Sequence, residues 1–255
     1  MTAVTYVTQR YEIMMAMFYL LTLYAVARDA LEHARRWTWL AVGSAFLGMA
    51  CKEVIITAPI AVYLYERTFI YKRESALCHL KRRAWLYAGL VSSWIVPIVL
   101  SVVEYHVPNV PYYYVSHEIG PIPYVLTQAR VVLRYVQLSL WPVGLSFDYD
   151  WRHAERLCDV AIPMLALASV AVWSALACWR RTVPGFLVLI FFIILAPTST
   201  IIPRGIYIAE YRAYLPLAAL IVLVVMIVDT AMRRLFRSRP AHALIALTSL
   251  ACVAV

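Results

Sequence analysis

The chain alternates between long apolar runs and short polar stretches that are rich in arginine. Apolar runs lie at about residues 11–27, 37–51, 54–71, 85–103, 159–179, 183–203 and 213–231, and a final run extends from near 241 to Val255. Several of them approach the ~20 residues that a helix needs to cross a bilayer. The pattern predicts an all-α, polytopic membrane helical bundle with about eight apolar spans, in which residues 1–255 form a single transmembrane domain.

The second and third runs are short for helices that cross a membrane, and one follows the other directly. They meet at Lys52 and Glu53 without an intervening loop. This spacing predicts a tight helical hairpin with the two charged residues at its tip, in a locally thinned bilayer or buried against neighbouring helices.

Composition agrees with a membrane protein. The chain is 64% hydrophobic with a mean hydropathy of +0.74, well above the roughly 45–50% apolar content of an ordinary soluble domain. The five cysteines are scattered singly, without the spacing of a disulfide framework or a zinc site. No metal site is predicted from them, and a divalent-metal requirement stays open.

The basic residues indicate which loops face the cytoplasm. The loops 28–36, 66–83, 179–181 and 233–239, together with Asp229, contain 15 of the 23 Lys+Arg residues and only five of the 14 Asp+Glu residues. Loops with such a basic excess are cytoplasmic by the positive-inside rule. The net charge of +9 is therefore a topology signal, and a nucleic-acid partner is not predicted.

The longest stretch between membrane runs, 104–158, is predicted to be an extracytoplasmic loop that contains an amphipathic helix. Residues 124–141 have a helical pattern, with Arg130, Arg134 and Gln137 on one face. If this segment crossed the membrane, the loop 179–181 would lie outside, so we expect a helix at the outer interface or re-entering the bundle. The alternative is a true span with buried arginines, which the cost of intramembrane arginine disfavours.

With this topology, the unusual polar motifs all lie on the non-cytoplasmic side. They are residues 9–12 (QRYE), 52–53 (KE), 106–123, 146–153 (SFDYDWRH) and 208–216 (IAEYRAYLP). These motifs also have simpler explanations. The opposite charges at the hairpin tip would stabilise each other, charged side chains at helix ends would reach the interface, and the aromatic residues would form a belt at the membrane boundary. A transporter would bury such charges near the middle of the membrane rather than collect them at one side.

Arginines and carboxylates together at the level of the lipid headgroups suit a lipid-phosphate donor. Guanidinium groups bind the phosphate while the lipid chain lies among the helices. A nearby carboxylate can act as a general base, or can stabilise positive charge that develops at an anomeric carbon. The combination indicates a glycosyltransferase.

Four segments carry a family resemblance. In chain order they are AVTYVTQRYEIMMAMFYLLTLY, CKEVIITAPIAVYLYE, YVLTQARVVLRYVQLSLWPVGLSFDYDW and AEYRAYLP. Together they resemble the membrane portion of the transmembrane and tetratricopeptide-repeat O-mannosyltransferases and their bacterial relatives, within the C-type membrane glycosyltransferases. The resemblance implies transfer of a sugar, such as mannose, from a polyprenyl-phosphate donor to a protein or glycan acceptor. The bilayer, the lipid-linked donor and the acceptor are then the partners, and the active face is expected on the periplasmic side of a bacterial inner membrane.

The resemblance also implies roles for individual residues. Catalytic carboxylates would be Asp148, Asp150 and Glu53, the donor phosphate would be bound by Arg212, Arg10 and Lys52, and Glu210 would orient Arg212. Members of the family have a helix and an acidic loop before the first matching motif, and further helices and repeats after the last one. We therefore expect this chain to be a fragment that cannot transfer sugar alone.

Two other functions stay open on the sequence. An O-antigen ligase or polymerase also presents arginines to a lipid-linked glycan, but on a diphosphate carrier. A non-catalytic membrane assembly module would use the same outer surface to dock a partner.

Overall fold

A computed structural model describes residues 10–71, 75–106, 121–141, 143, 158, 160–199 and 208–235. The secondary structure in this part of the chain is helical throughout, and none of these residues forms a strand. The predicted all-α fold class is confirmed.

The described residues form ten α-helices, numbered here in chain order. They are α1 (Arg10–Glu32), α2 (Arg35–Cys51), α3 (Ala58–Tyr65), α4 (Ala76–Arg82), α5 (Ala84–Ser92), α6 (Ile95–His106), α7 (Pro121–Leu140), α8 (Ala161–Trp179), α9 (Val183–Leu195) and α10 (Tyr214–Leu235). Tighter 3₁₀ turns lie at Glu53–Thr57, Ala196–Thr198 and Glu210–Ala213, and a π-helical turn lies at Glu66–Ile70.

Three helical stretches are long and apolar enough to cross a membrane: Arg10–Glu32, Ala161–Trp179 and Glu210–Arg234. A fourth candidate is the pair Ala76–Arg82 and Ala84–Leu100, which is bent by 77°. The fold is that of a helical membrane protein. These three or four candidates do not confirm the predicted eight spans, and the run that starts near 241 lies outside the described residues.

The core forms where α1 and α2 pack side by side. The buried face of α1 follows a spacing of three and four residues, and α2 meets it with small side chains, namely Ala41, Ser44, Ala45 and Gly48. Small residues let the backbones of membrane helices approach closely. At Gly48 the approach is so close that a Cβ atom would lie 3.0 Å from Cβ of Phe18 on α1.

Regular helix is interrupted after α2, at the predicted hairpin tip, and the predicted third run is not one continuous helix. The tight pairing of the two runs stays a prediction. Lys52 is extended, with φ −163° and ψ 146°, and a 3₁₀ turn leads from Glu53 into α3. Pro59 lies in the first turn of α3. Because proline has no backbone N–H to continue the hydrogen bonds of the preceding turn, one regular helix cannot run through this position.

The predicted span 85–103 belongs to a bent segment rather than to one straight helix. The bend of 77° falls at Arg83, between α4 and α5. The Arg83 guanidinium bonds to the Asp29 carboxylate of α1, and its Nη2 lies 2.9 Å from Oε1 of Glu66. These two ion pairs hold the backbone at the bend against the rest of the bundle.

A tight turn at residues 180–182 joins α8 to α9. Arg181 has a left-handed backbone (φ 61°), and the N–H groups of Arg181 and Thr182 donate to the carbonyls of Cys178 and Ala177 at 2.8 and 3.1 Å. This pairing is the Schellman motif, in which glycine usually occupies the left-handed position. The Thr182 hydroxyl caps α9 by accepting from the N–H of Gly185 at 3.3 Å.

Gly185 gives a test of this packing. A Cβ atom there would lie 2.5 Å from the backbone nitrogen of Cys178, and a backbone atom cannot move aside as a flexible side chain can. Gly185→Ala is expected to destabilise the protein by about 1–3 kcal/mol, seen as a lower thermal midpoint in detergent. Gly43→Ala is the matched control, because Gly43 is also helical and has nothing within 4 Å of its Cβ position. An equal effect of both substitutions would contradict the tight α8–α9 packing.

Candidate functional site

Two polar clusters lie near opposite ends of α1. Glu12 is in the first turn of this helix and Asp29 is near its last turn, which separates them by about 25 Å at 1.5 Å per residue. The rim cluster is defined as Glu12, Lys52, Glu53, Tyr211 and Arg212. The opposite network is defined as Asp29, Glu66, His79, Arg83 and Tyr87.

The rim cluster is built on a buried ion pair between α1 and the hairpin tip. The ammonium group of Lys52 bonds to Oε1 of Glu12, and the two side chains are only 7% and 2% exposed. The Lys52 nitrogen also lies 5.4 Å from the ring centre of Tyr211 and 5.7 Å from that of Tyr11. The faces of these rings attract the cation, so Lys52 joins the start of α1 to the turn that precedes α10.

Arg212 lies in that turn and is 8% exposed. Its guanidinium group is hydrogen-bonded to the phenol of Tyr124, and Tyr135 and Tyr211 are close enough to interact with its charge. The same charge acts on Glu12 and Lys52. The extended residue Ala209 and the 3₁₀ turn Glu210–Ala213 place Arg212 at this point, before the regular helix α10 begins.

Helix α7 supplies the tyrosines that support this arrangement. The hydroxyl of Tyr135 accepts a hydrogen bond of 2.9 Å from the N–H of Ala209, and the hydroxyl of Tyr124 donates to the Thr198 carbonyl at 3.4 Å. Burial raises the pKa of Tyr135 to about 12. This phenol is therefore neutral at physiological pH, and it fixes the backbone three residues before Arg212 without adding a charge.

The structure brings together four of the seven residues predicted for the site. Lys52 and Arg212 are buried in the rim cluster, Glu53 is half-buried directly after Lys52, and Glu210 is half-buried in the same turn as Arg212. Arg10 is exposed at the first position of α1. It is therefore separate from the buried ion pair between Glu12 and Lys52. The two predicted carboxylates in the motif SFDYDW, Asp148 and Asp150, lie outside the described residues.

Sequence reasoning missed three residues of this site. Glu12 was interpreted as a helix-end side chain, although it is the buried partner of Lys52. Tyr124 and Tyr135 were not distinguished from the other aromatic residues, although both are at most 1% exposed. Their separation of 11 residues, about three helical turns, is the signal that places them on one face of α7.

The opposite network was missed as a whole. Asp29, Glu66, His79 and Arg83 are in basic loops that were interpreted only as a topology signal, and Tyr87 is in the predicted span 85–103. Glu66 is fully buried, and its Oε2 lies 2.8 Å from Nε2 of His79 and accepts a bond of 2.6 Å from the Tyr87 hydroxyl. Arg83 bridges this carboxylate to that of Asp29, which also accepts from Thr38 at 3.3 Å. Two buried carboxylates paired with one arginine and one histidine make a cross-link between α1, the π-helical turn and α4–α5.

Comparisons with known proteins identify no relative. No protein-family model matches the sequence, and no curated protein or solved structure is detectably similar to it. Among the described residues, no group of three or more His, Cys, Asp or Glu side chains could hold a metal ion. The fold and the site thus define a helical membrane protein with buried, paired charges at both ends of its first helix.

The Glu12–Lys52 ion pair gives a second test. Removing one partner leaves an uncompensated buried charge, which costs about 3–5 kcal/mol. Glu12→Gln and Lys52→Met are each expected to destabilise the protein by that amount in detergent unfolding, and the double variant is expected to lose clearly less than the sum. Strict additivity would contradict the pair.

The control for this cycle is Asp229→Asn. It breaks an exposed ion pair on α10, in which Nε of Arg233 lies 2.8 Å from Oδ2 of Asp229. Such pairs contribute little to stability, so the thermal midpoint is expected to stay unchanged.

Proposed function

We propose that the chain is the membrane domain of a glycosyltransferase of the C-type class, related to the transmembrane and tetratricopeptide-repeat O-mannosyltransferases. It would transfer a sugar, such as mannose, from a polyprenyl-phosphate donor to a protein or glycan acceptor. The observation that carries this proposal is the buried guanidinium of Arg212 beside Lys52, at the end of an apolar helix.

Arg212 is suited to the donor phosphate. Its planar guanidinium group can donate two parallel hydrogen bonds to phosphate oxygens, which an ammonium group cannot do. The Lys52 ammonium is bonded to the Glu12 carboxylate, so its charge is already balanced within the protein. We therefore assign the main phosphate contact to Arg212 and an electrostatic role to Lys52.

The lipid part of the donor would lie along α10. This helix begins directly after Arg212, and large aliphatic side chains on it are exposed, among them Ile221 (52%) and Val225 (59%). Exposed apolar side chains on a membrane helix face lipid. A polyprenyl chain on this surface would bring its phosphate to the level of the rim cluster.

The chemical step would be a substitution at the anomeric carbon. An acceptor nucleophile attacks this carbon and loses its proton to a carboxylate, while the bond to the donor phosphate oxygen breaks and the polyprenyl phosphate leaves. Glu53 is the candidate base within the described residues because it is half-buried next to Lys52. Asp148 and Asp150 remain candidate bases in the outer loop. Arg10 remains a candidate for binding the donor phosphate, and Glu210 for orienting Arg212.

The proposed topology has about eight spans, with α7 at the non-cytoplasmic interface and the rim cluster facing the periplasm. The faces of α7 support this part of the proposal. Val131 and Tyr135 are buried against α9, whereas Arg130, Leu133 and Gln137 are exposed on one face. An exposed face that combines polar and aliphatic side chains suits an interfacial position.

The proposal is tested by donor binding to the full chain in lipid nanodiscs. Arg212→Gln is expected to weaken binding of polyprenyl-phosphate mannose at least tenfold, because the variant keeps a polar side chain but loses the positive charge and the guanidinium fork. Arg212→Lys is expected to lose only part of the donor affinity, because lysine keeps the charge but lacks the planar fork. Binding is measured by thermophoresis, and the thermal midpoint of each variant is recorded to show that it is folded.

Arg234→Gln is the matched control, since Arg234 is exposed at the far end of the same helix. Unchanged binding by Arg212→Gln would refute the proposed role. Preference for a polyprenyl-diphosphate glycan over the monophosphate donor would favour an O-antigen ligase or polymerase instead.

A further inference from the structure

A cavity lies at the end of the bundle occupied by the opposite network. Its volume is about 200 Å³. Three separate parts of the chain line it: the end of α3 with the π-helical turn and the residue after it, the start of α4, and the turn between α8 and α9. The residues are Tyr63, Arg67, Tyr71, Ser75, Ala76, His79, Trp179 and Arg181.

The lining is cationic and aromatic. Two guanidinium groups, those of Arg67 and Arg181, and the imidazole of His79 come from the three different segments. None of the described side chains that line the cavity is acidic. The guanidinium carbon of Arg67 lies 4.1 Å from the ring centre of Trp179, which fixes the plane of the arginine against one wall.

Buried polar atoms in this lining have no hydrogen-bond partner within the described part of the chain. They are Nδ1 of His79, whose residue is 3% exposed, and Nε of Arg67. Nε2 of His79 is held by the carboxylate of Glu66 at 2.8 Å, which fixes the imidazole where it lines the cavity. Buried polar atoms are normally hydrogen-bonded, and those that are not require an explanation.

Arg181 also lines the cavity. Its left-handed backbone is the conformation that the helix cap at the end of α8 requires. Nη1 of Arg181 donates to the Tyr71 carbonyl at 3.4 Å. The guanidinium group thereby connects the α8–α9 turn to the opposite wall of the cavity, a contact that the glycine expected at this position could not make.

We propose that this cavity binds a phosphate-bearing anion, either a soluble phosphate compound or the headgroup of an anionic phospholipid. Two guanidinium groups and an imidazole that face a common space provide the donors that phosphate oxygens need. The volume exceeds that of a single water molecule several times, so it admits a phosphate group together with part of its carrier. The ring of Trp179 is largely exposed at 71%, which is typical of a residue at the membrane interface.

The site is distinct from the one proposed for glycosyl transfer. Arg67 and His79 belong to the end of the bundle that holds Glu66 and Asp29, about 25 Å along α1 from Glu12. Loss of one binding activity can therefore be separated from loss of the other.

The test uses the full chain in nanodiscs, with two probes. Inorganic pyrophosphate is titrated into nanodiscs of phosphatidylcholine by calorimetry, and native mass spectrometry measures retention of phosphatidylglycerol from mixed nanodiscs. Arg67→Gln and Arg181→Gln are each expected to weaken one of these interactions at least tenfold. Ala76→Trp, which fills the cavity without removing a charge, is expected to do the same.

Arg180→Gln is the matched control, because Arg180 is exposed in the same turn and does not line the cavity. Saturable pyrophosphate binding with this pattern of variants supports a soluble ligand, and selective retention of phosphatidylglycerol with this pattern supports a lipid headgroup. Binding of neither probe, or an equal loss in Arg180→Gln, overturns the proposal. If Arg67→Gln fails to fold, Ala76→Trp decides the question.

Discussion

The need to pair buried charges governs how the described helices are placed. A charge that is removed from water is stable only when a partner compensates it, and α1 buries a carboxylate near each end. Glu12 bonds to Lys52 at the hairpin tip, and Asp29 bonds to Arg83 at the bend between α4 and α5. Because both partners lie where regular helix is interrupted, the ion pairs coincide with the main irregularities of the fold.

Much of this architecture could be predicted from local patterns. Apolar runs predicted the helices, and the charged residues Lys52 and Glu53 predicted where α2 ends. The bend at Arg83 could not be predicted, because this arginine bonds to Asp29 of α1, 54 positions away, and pairs with Glu66 on the π-helical turn. The number of spans was also uncertain, since hydropathy does not distinguish a straight helix from one that is broken at Pro59 or bent at Arg83.

The candidate site was predictable to the extent that successive spans were expected to cross the membrane in alternating directions. This expectation placed Lys52, Glu53 and Arg212 on the same side of the membrane, and the structure brings the three residues together. The tyrosines of α7 could not be found in the same way, because in a sequence with 18 tyrosines only tertiary packing shows which hydroxyls are buried. Tyr135 matters through its bond to the N–H of Ala209, a backbone partner that no side-chain motif reveals.

Arg83 and Arg212 differ in a way that separates a structural from a functional role. Arg83 lies between the carboxylates of Asp29 and Glu66, so its charge is neutralised and it serves as a cross-link. Burial has the largest influence on Arg212, followed by the phenols of Tyr135, Tyr124 and Tyr211. A neutral phenol can orient a guanidinium group by accepting a hydrogen bond from it. Because Arg83 is already engaged by two carboxylates, the proposed function places the donor phosphate at Arg212 rather than at Arg83.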